Sequence, residues 1–282
     1  MEFTFLDAIS LPGNPAQPND DAWGQAANAA VVLDGATNLG EQLLPGGSDA
    51  AWIARFGARR LMAHCQDGVQ PEDALKSALA DAERSFAGLR RRAPRENYEI
   101  PYASMMFLCP SEQGFWALWF GDCAALASRP GGVLEIVGDA FDRRAAEARR
   151  VAILARAKGI APAAGHSRPE FLPALRAARN SVNTDRGGWL FGPDPKAADH
   201  VRRRHVHVPS GTTVLIASDG FLSLCSDYGL YDPEGLVAAA QAKGLERLGR
   251  EIRIAEDADP DGERFPRFKK SDDATAVLLR LD

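Results

Sequence analysis

The stretch ASMMFLCPSEQGFWALWFGDCAALASRPGGVLEIV (Ala103–Val137) holds three strand candidates in succession, Ala103–Cys109, Phe115–Phe120 and Val133–Val137, with no helical period between them. Upstream lie a strand candidate at Ala29–Leu33 and two helices. Ala51–His64 puts Ile53, Phe56 and Leu61 on one face and Arg55, Arg59 and Arg60 elsewhere, while Pro71–Leu89 opens with proline followed by acids. Downstream, helices are expected at Asp142–Lys158, Pro169–Arg179, Pro233–Lys243 and Leu245–Ile254, and strands at Val206–Val208, Thr213–Ala217 and Ala274–Leu281. Strict alternation of strand and helix is absent. That disfavours a doubly wound parallel sheet and favours a layered α/β (α+β) fold, with antiparallel sheets inside and helices outside. Leu44–Asp49 (LPGGSD) and the polar run Glu256–Asp273 read as loops, and no repeat or Pro/Ser-rich linker divides the chain.

The chain has 282 residues, with 33 Lys+Arg against 38 Asp+Glu, a net charge of −5. Without a basic block it lacks the cations that nucleic-acid affinity rests on. No run approaches the roughly 20 apolar residues of a membrane span. The start, MEFTFLDAIS, has no basic segment of a secretory signal, so the cytoplasm is the expected location. Cys65, Cys109, Cys123 and Cys225 are scattered without a CxxC pair, which points to reduced, mostly buried thiols rather than a disulfide framework or a zinc site.

Three apolar runs end alike: AAVVLDG at Asp34-Gly35, WALWFGD at Gly121-Asp122 and TVLIASDG at Asp219-Gly220. A carboxylate at the end of a strand stands at the rim of the core, and the neighbouring glycine lets the backbone turn or approach a ligand. The pairs Asp20-Asp21 and Asp272-Asp273 flank further strands. Carboxylates gathered this way repel one another unless cations neutralise them, and hard, oxygen-binding ions such as Mg2+ or Mn2+ suit them better than zinc. Ions bridged by a carboxylate generate hydroxide and stabilise in-line attack on phosphorus, so phosphate-ester hydrolysis is the leading chemistry. A site spanning Asp20 to Asp272 needs both ends of the chain in one fold, a single domain over residues 1–282.

Asn19-Asp20-Asp21-Ala22, VVLDGAT (Val31–Thr37), FGDCAALASR (Phe120–Arg129), VLIASDGF (Val214–Phe221) and SDDATAVLL (Ser271–Leu279) resemble, in order, the motifs of the metal-dependent type 2C (PPM) serine/threonine protein phosphatases, in their bacterial form. The resemblance implies a four-layer αββα sandwich, two or three Mn2+ or Mg2+ ions, and direct attack of a bridging hydroxide on phosphoserine or phosphothreonine. It implies a phosphoprotein substrate and a cognate Ser/Thr kinase as partners. Asp34 resembles the bridging ligand, with the Gly35 carbonyl on the second ion. Asp20 stands where the family carries a glutamate on that ion. Asp21 resembles the acid that orients water, and Asp219 and Asp272 resemble first-ion ligands. Asp122 with Asp219 resembles the pair on a loosely held third ion, and Asp273 replaces an asparagine, so either member of Asp272-Asp273 is a candidate ligand.

The departures are specific. The position of the family's phosphate-binding arginine is Ala16, and Arg176, Arg179 and Arg186 are the candidate substitutes. Asp20 for glutamate shortens the reach by one methylene, Ala36 stands where many eukaryotic members have histidine, and Ser223 replaces an acid. These changes motivate the alternative of a weak or inactive relative that binds a phosphoprotein or regulates a partner. Cys123 to Arg129 has the bare spacing of a cysteine-dependent phosphatase loop, but the stretch is apolar, lacks glycine and follows an aspartate. No GxSxG elbow or GxxxxGK[ST] loop is present. His205 and His207, and the run Arg202–Arg204, read as exposed surface.

Overall fold

The computed structural model describes residues 1–66, 68–158, 171–267 and 269–282. Two five-stranded antiparallel sheets form its centre. One has the order β1 (Phe3–Leu11), β10 (Ala274–Leu281), β9 (Thr212–Ala217), β6 (Ala124–Ser128), β7 (Leu134–Val137). The other has the order β2 (Asp21–Ala26), β3 (Ala29–Gly35), β4 (Ala103–Ser111), β5 (Gly114–Phe120), β8 (Arg202–His207).

The apolar runs are continuous because both faces of the central strands are covered. In β3, Ala30 and Val32 meet Val214, Ile216, Val277 and Leu279 of the opposite sheet. Val31 and Leu33 point the other way, onto Ile53 and Leu61 of α1 (Asp49–His64) and Leu75 and Leu79 of α2 (Pro71–Leu89). On the far side, Leu215, Ala217 and Leu278 pack under α5 (Asp219–Ser226), α6 (Pro233–Lys243) and α7 (Leu245–Ala258), chiefly through Phe221, Leu236, Leu248 and Ile252. Helix, sheet, sheet, helix is the four-layer order expected. α3 (Ala140–Lys158) packs on α5, and α4 (Leu172–Asn180) lies against the short 3-10 turn Asn97–Glu99.

Five elements depart from the sequence reading, the first being β2, an unforeseen edge strand (DAWGQA) with no apolar run. β1 was not foreseen, because a register shift between Phe5 and Asp7 breaks its alternation and, as an edge strand, it leaves Phe5 and Leu6 exposed. β6 is a central strand of mostly alanine, a residue with little strand signal of its own. The Val206–Val208 strand is shifted to Arg202–His207, a charged sheet edge whose arginines pair with Asp139, Glu72 and Glu135. The eight-residue α5, starting at Asp219, is too short to show a helical period. Of the helix expected at Pro169–Arg179, residues 169 and 170 lie outside the described ones, and the helix runs from Leu172 to Asn180.

No disulfide joins the described cysteines, and the sulfurs of Cys65 and Cys109 stand 3.3 Å apart. No helix among the described residues is long and apolar enough to cross a membrane.

Candidate functional site

Antiparallel register assembles the site. Asp21 at the start of β2 pairs with Asp34 near the end of β3, and Asp34 pairs with Ser104 of β4, so the three stand in a row across one sheet end. Next along, Gly121 has φ +70°, and a Cβ there would sit 2.1 Å from the Ser104 hydroxyl oxygen. Only glycine leaves room for Ser104 to donate to Asp122 Oδ1 at 2.5 Å.

The other sheet delivers its acids at the same end. β9 stops at Ala217, and Ser218 donates to Asp21 Oδ2 at 2.8 Å while accepting the Thr275 N–H at 3.0 Å. That hydroxyl bridges the two sheets. Asp219 then opens α5, where the helix N-terminus favours a negative charge. A Cβ on Gly220 would lie 2.0 Å from the Asp273 carbonyl oxygen, so glycine is what lets the first turn of α5 press against Asp272-Asp273.

Asp34, Gly35, Asp122, Asp219 and Asp272 line one cavity of about 240 Å³. The same cavity is lined by Arg143, Arg144, Arg179 and Lys269. Lys269 Nζ donates to Asp272 Oδ1 at 2.6 Å. Arg144 grips Asp227 with two nitrogens, at 2.6 to 3.0 Å, and reaches Asp219 Oδ2 at 3.2 Å.

The other expected residues are placed differently. Asp21 is buried and is not among the residues lining the cavity, although its ladder partner Asp34 is. Asp20 receives the Ser48 hydroxyl at 2.5 Å, and Ser48 in turn caps α1 by accepting the Ala51 N–H. Asp273 turns to the backbone, accepting from the amides of Gly13 and Asp20 at 2.7 and 2.6 Å, so Asp272 is the member of that pair that faces the cavity. Arg179 reaches the cavity and makes only long contacts, 3.4 and 3.5 Å, to the carbonyls of Ala36 and Thr37. Arg176 instead donates to the Leu39 carbonyl and stacks over Tyr98, and Arg186 lines a separate depression beyond α4.

Sequence reasoning passed over Ser104, Ser218, Arg143, Arg144, Lys269 and Asp227. The spacing of Lys269, three residues before Asp272, was the one visible signal among them.

Burial, and after it the neighbouring acid Asp273, hold the Asp21 carboxyl well above the ordinary carboxylate range. Asp34 is raised in the same way, by burial first and then by the charge of Asp21. Burial also raises Asp20. The buried Cys123 thiol is pushed well up, with Asp34 adding to the effect, and residues 124–128 form a strand. No phosphate-cradling thiolate loop exists there.

The acidic set fits a hard divalent ion in kind. It offers oxygen donors without histidine or thiolate, and Asp21 Oδ1 is buried with no hydrogen-bond partner. Among the described residues no three acidic, histidine or cysteine side chains converge tightly enough to enclose an ion as they stand. Lys269 and Arg144 already neutralise Asp272 and Asp219, so an ion would exchange with those pairings.

The whole chain superposes on the Mycobacterium tuberculosis serine/threonine phosphatase PstP/Ppp with a TM-score of 0.58 and 14% identity, covering 100% of both chains. The fold is that of the PPM phosphatases. The PPM Ser-Thr phosphatase MsPP from Mycobacterium smegmatis, solved with cacodylate, matches at TM-score 0.56 and 18% identity over 99% of this chain and 100% of its own. The PstP catalytic domain with two manganese ions matches at 0.55 and 14% identity, over 100% and 99%. No protein-family model matches the sequence, and no curated protein matches it significantly. The likeness is one of fold over the whole chain at low sequence identity.

Proposed function

We propose that the chain, as one unit over residues 1–282, is a metal-dependent phosphatase of phosphoserine and phosphothreonine in proteins. The observation that carries this reading is the ladder pairing of buried Asp21, one of its oxygens unpartnered, with half-buried Asp34, which lines a cavity together with Asp122, Asp219 and Asp272. Asp34, the Gly35 carbonyl, Asp219 and Asp272 would hold Mn2+ or Mg2+. When bound, such ions supply an activated water and neutralise charge building up on phosphorus.

The chain's own groups do the rest. Ser218 holds the Oδ2 of Asp21, which leaves the unpartnered Oδ1 to take a proton from water. Ser104 fixes Asp122. Arg179, half-buried with only weak carbonyl contacts, and Arg143 at the rim supply cations for the phosphate oxygens in place of the residue lost at Ala16. A phosphoprotein and its cognate Ser/Thr kinase are the partners this chemistry calls for, and the neighbouring structures, named as Ser/Thr phosphatases, support it. The cytoplasm is where this reading places the protein.

A second reading, a catalytically weak relative that binds a phosphoprotein, is favoured by the pairing of Lys269 with Asp272 and of Arg144 with Asp219. Turnover of p-nitrophenyl phosphate with Mn2+ decides between them. The expected result is activity lost with EDTA and in Asp34→Ala and Asp219→Ala, and a KM raised in Arg179→Ala. Turnover that survives complete metal removal overturns the phosphatase reading; manganese binding without turnover establishes the second.

A further inference from the structure

A groove of about 530 Å³ lies between α1, the edge strand β2 and the LPGGSD loop. Its aromatic walls are Trp23 and Trp52, with Pro18 and Pro45 beside them. Trp23 is held in place by stacking on Phe5, with ring centroids 5.9 Å apart and planes 11° apart, and is still 38% exposed. Gly46 and Gly47 form the loop side. A Cβ at Gly47 would stand 2.8 Å from Pro18, so this glycine lets the loop lie close against the groove wall.

The charge lining the groove is positive, with two arginines and no carboxylate. The chain carries more acids than bases, 38 against 33, yet no carboxylate lines the groove, and Arg55 and Arg59 do. Both arginines are exposed. Arg55 spends one nitrogen on the Asn19 carbonyl at 3.1 Å, and Arg59 makes no hydrogen bond or ion pair with the described residues. Two indole faces, two prolines and two available guanidinium groups make a receptor for an extended acidic segment with an apolar or proline anchor. The groove adjoins the acidic site through Ser48, which lines the groove and donates to Asp20.

We infer that this groove docks an acidic segment of the phosphoprotein substrate, at a distance in sequence from the residue being dephosphorylated. The inference rests on the phosphatase reading for the word substrate and on the groove alone for the binding. The chain would thus select phosphoproteins bearing a Glu/Asp-rich stretch with a leucine or proline anchor. Contacts to the arginines set the charge preference, and the tryptophans set the anchor.

Two measurements separate the claims. The first is fluorescence anisotropy with a labelled, unphosphorylated peptide of alternating glutamate and leucine around one proline, and with its lysine counterpart as control. The glutamate peptide is expected to bind and the lysine peptide not to. Arg55→Glu/Arg59→Glu should weaken binding of the glutamate peptide by about tenfold, through the loss of two exposed charge contacts and the repulsion added by reversal. Arg59→Ala alone, which touches no structural contact, should show a smaller loss in the same direction. Equal binding of both peptides, or unchanged binding in both variants, overturns the proposal.

The second measurement is kinetic. A phosphothreonine peptide carrying the glutamate–leucine–proline stretch at a distance from the phosphothreonine should show a raised KM and an unchanged kcat in Arg59→Ala, while p-nitrophenyl phosphate, too small to reach the groove, keeps both parameters. If peptide binding responds to charge reversal but no phosphate ester is ever hydrolysed, the groove stands and the phosphatase reading falls. If hydrolysis proceeds with no preference for peptides carrying the distant acidic segment in any variant, the docking inference falls and the phosphatase reading stands.

Discussion

Asp34→Asn should make the protein more stable in chelator and remove its stabilisation by manganese. Asp34 and Asp21 face each other across β2 and β3. Partners in an antiparallel ladder have Cα atoms about 4.5–5.5 Å apart. Two full charges about 5 Å apart, at an effective dielectric of about 20, repel by about 3 kcal/mol. Burial and the charge of Asp21 both raise the Asp34 carboxyl, so the pair escapes part of this repulsion by keeping a proton. About 1–2 kcal/mol is left for the isosteric amide to relieve. At about 2–4 °C per kcal/mol for a chain of this size, the melting temperature in EDTA should rise by about 2–8 °C. The second arm has the opposite sign. Wild type in Mn2+ at a hundredfold excess over Kd gains about 2.7 kcal/mol by mass action, and the variant, missing the central ligand, gains much less. Differential scanning fluorimetry with EDTA and with MnCl2 reads both arms. A variant that melts at or below wild type in EDTA and retains the full manganese shift would refute both the repulsion and the ligand assignment.

Arg144→Ala should cost about 3–5 kcal/mol in urea denaturation, because it leaves Asp227, 5% exposed, as a buried charge without its guanidinium. Arg144→Ala/Asp227→Asn should recover more than half of that loss, and a double variant no better than the single would refute the pairing argument. Away from the site, Glu99 accepts two Arg92 nitrogens at 2.8 and 2.9 Å and the Arg95 amide, and the Arg92 guanidinium holds its carboxyl down to about 2. A depressed carboxyl contributes stability that is fully present above its unfolded value of 4.5 and is lost as pH falls towards 2. Glu99→Gln should therefore melt below wild type at neutral pH, with the gap closing across that window; a gap that is constant with pH counts against the ion pair.

What the sequence revealed of this fold followed from burial on both faces. Strands such as β3, β4 and β9 were visible because a residue pointing either way meets apolar neighbours, which leaves an uninterrupted apolar run. β1 and β6 escaped because one is an edge broken by a register shift and the other is built of alanines. The same physics governed the site. Asp34, Asp122 and Asp219 were legible because a carboxylate terminating an apolar run, next to a glycine, is costly anywhere but a rim. Three arginines on or near α4 could not be told apart, since which one reaches the cavity depends on how the helix docks, and only Arg179 does.

The residues that escaped notice share a cause that bears on function. Ser104 and Ser218 orient acids from positions where a hydroxyl carries no sequence signal. Arg144 and Lys269 are ordinary surface cations in the sequence, yet fold onto Asp219 and Asp272. A cluster of carboxylates has to be neutralised before any ion arrives, or it would oppose folding, and these two side chains perform that task from within the chain. Their presence also means that an entering ion competes with a tethered cation rather than filling bare charge. On the proposed reading, metal affinity would be set as much by how readily Lys269 and Arg144 let go as by the carboxylates themselves.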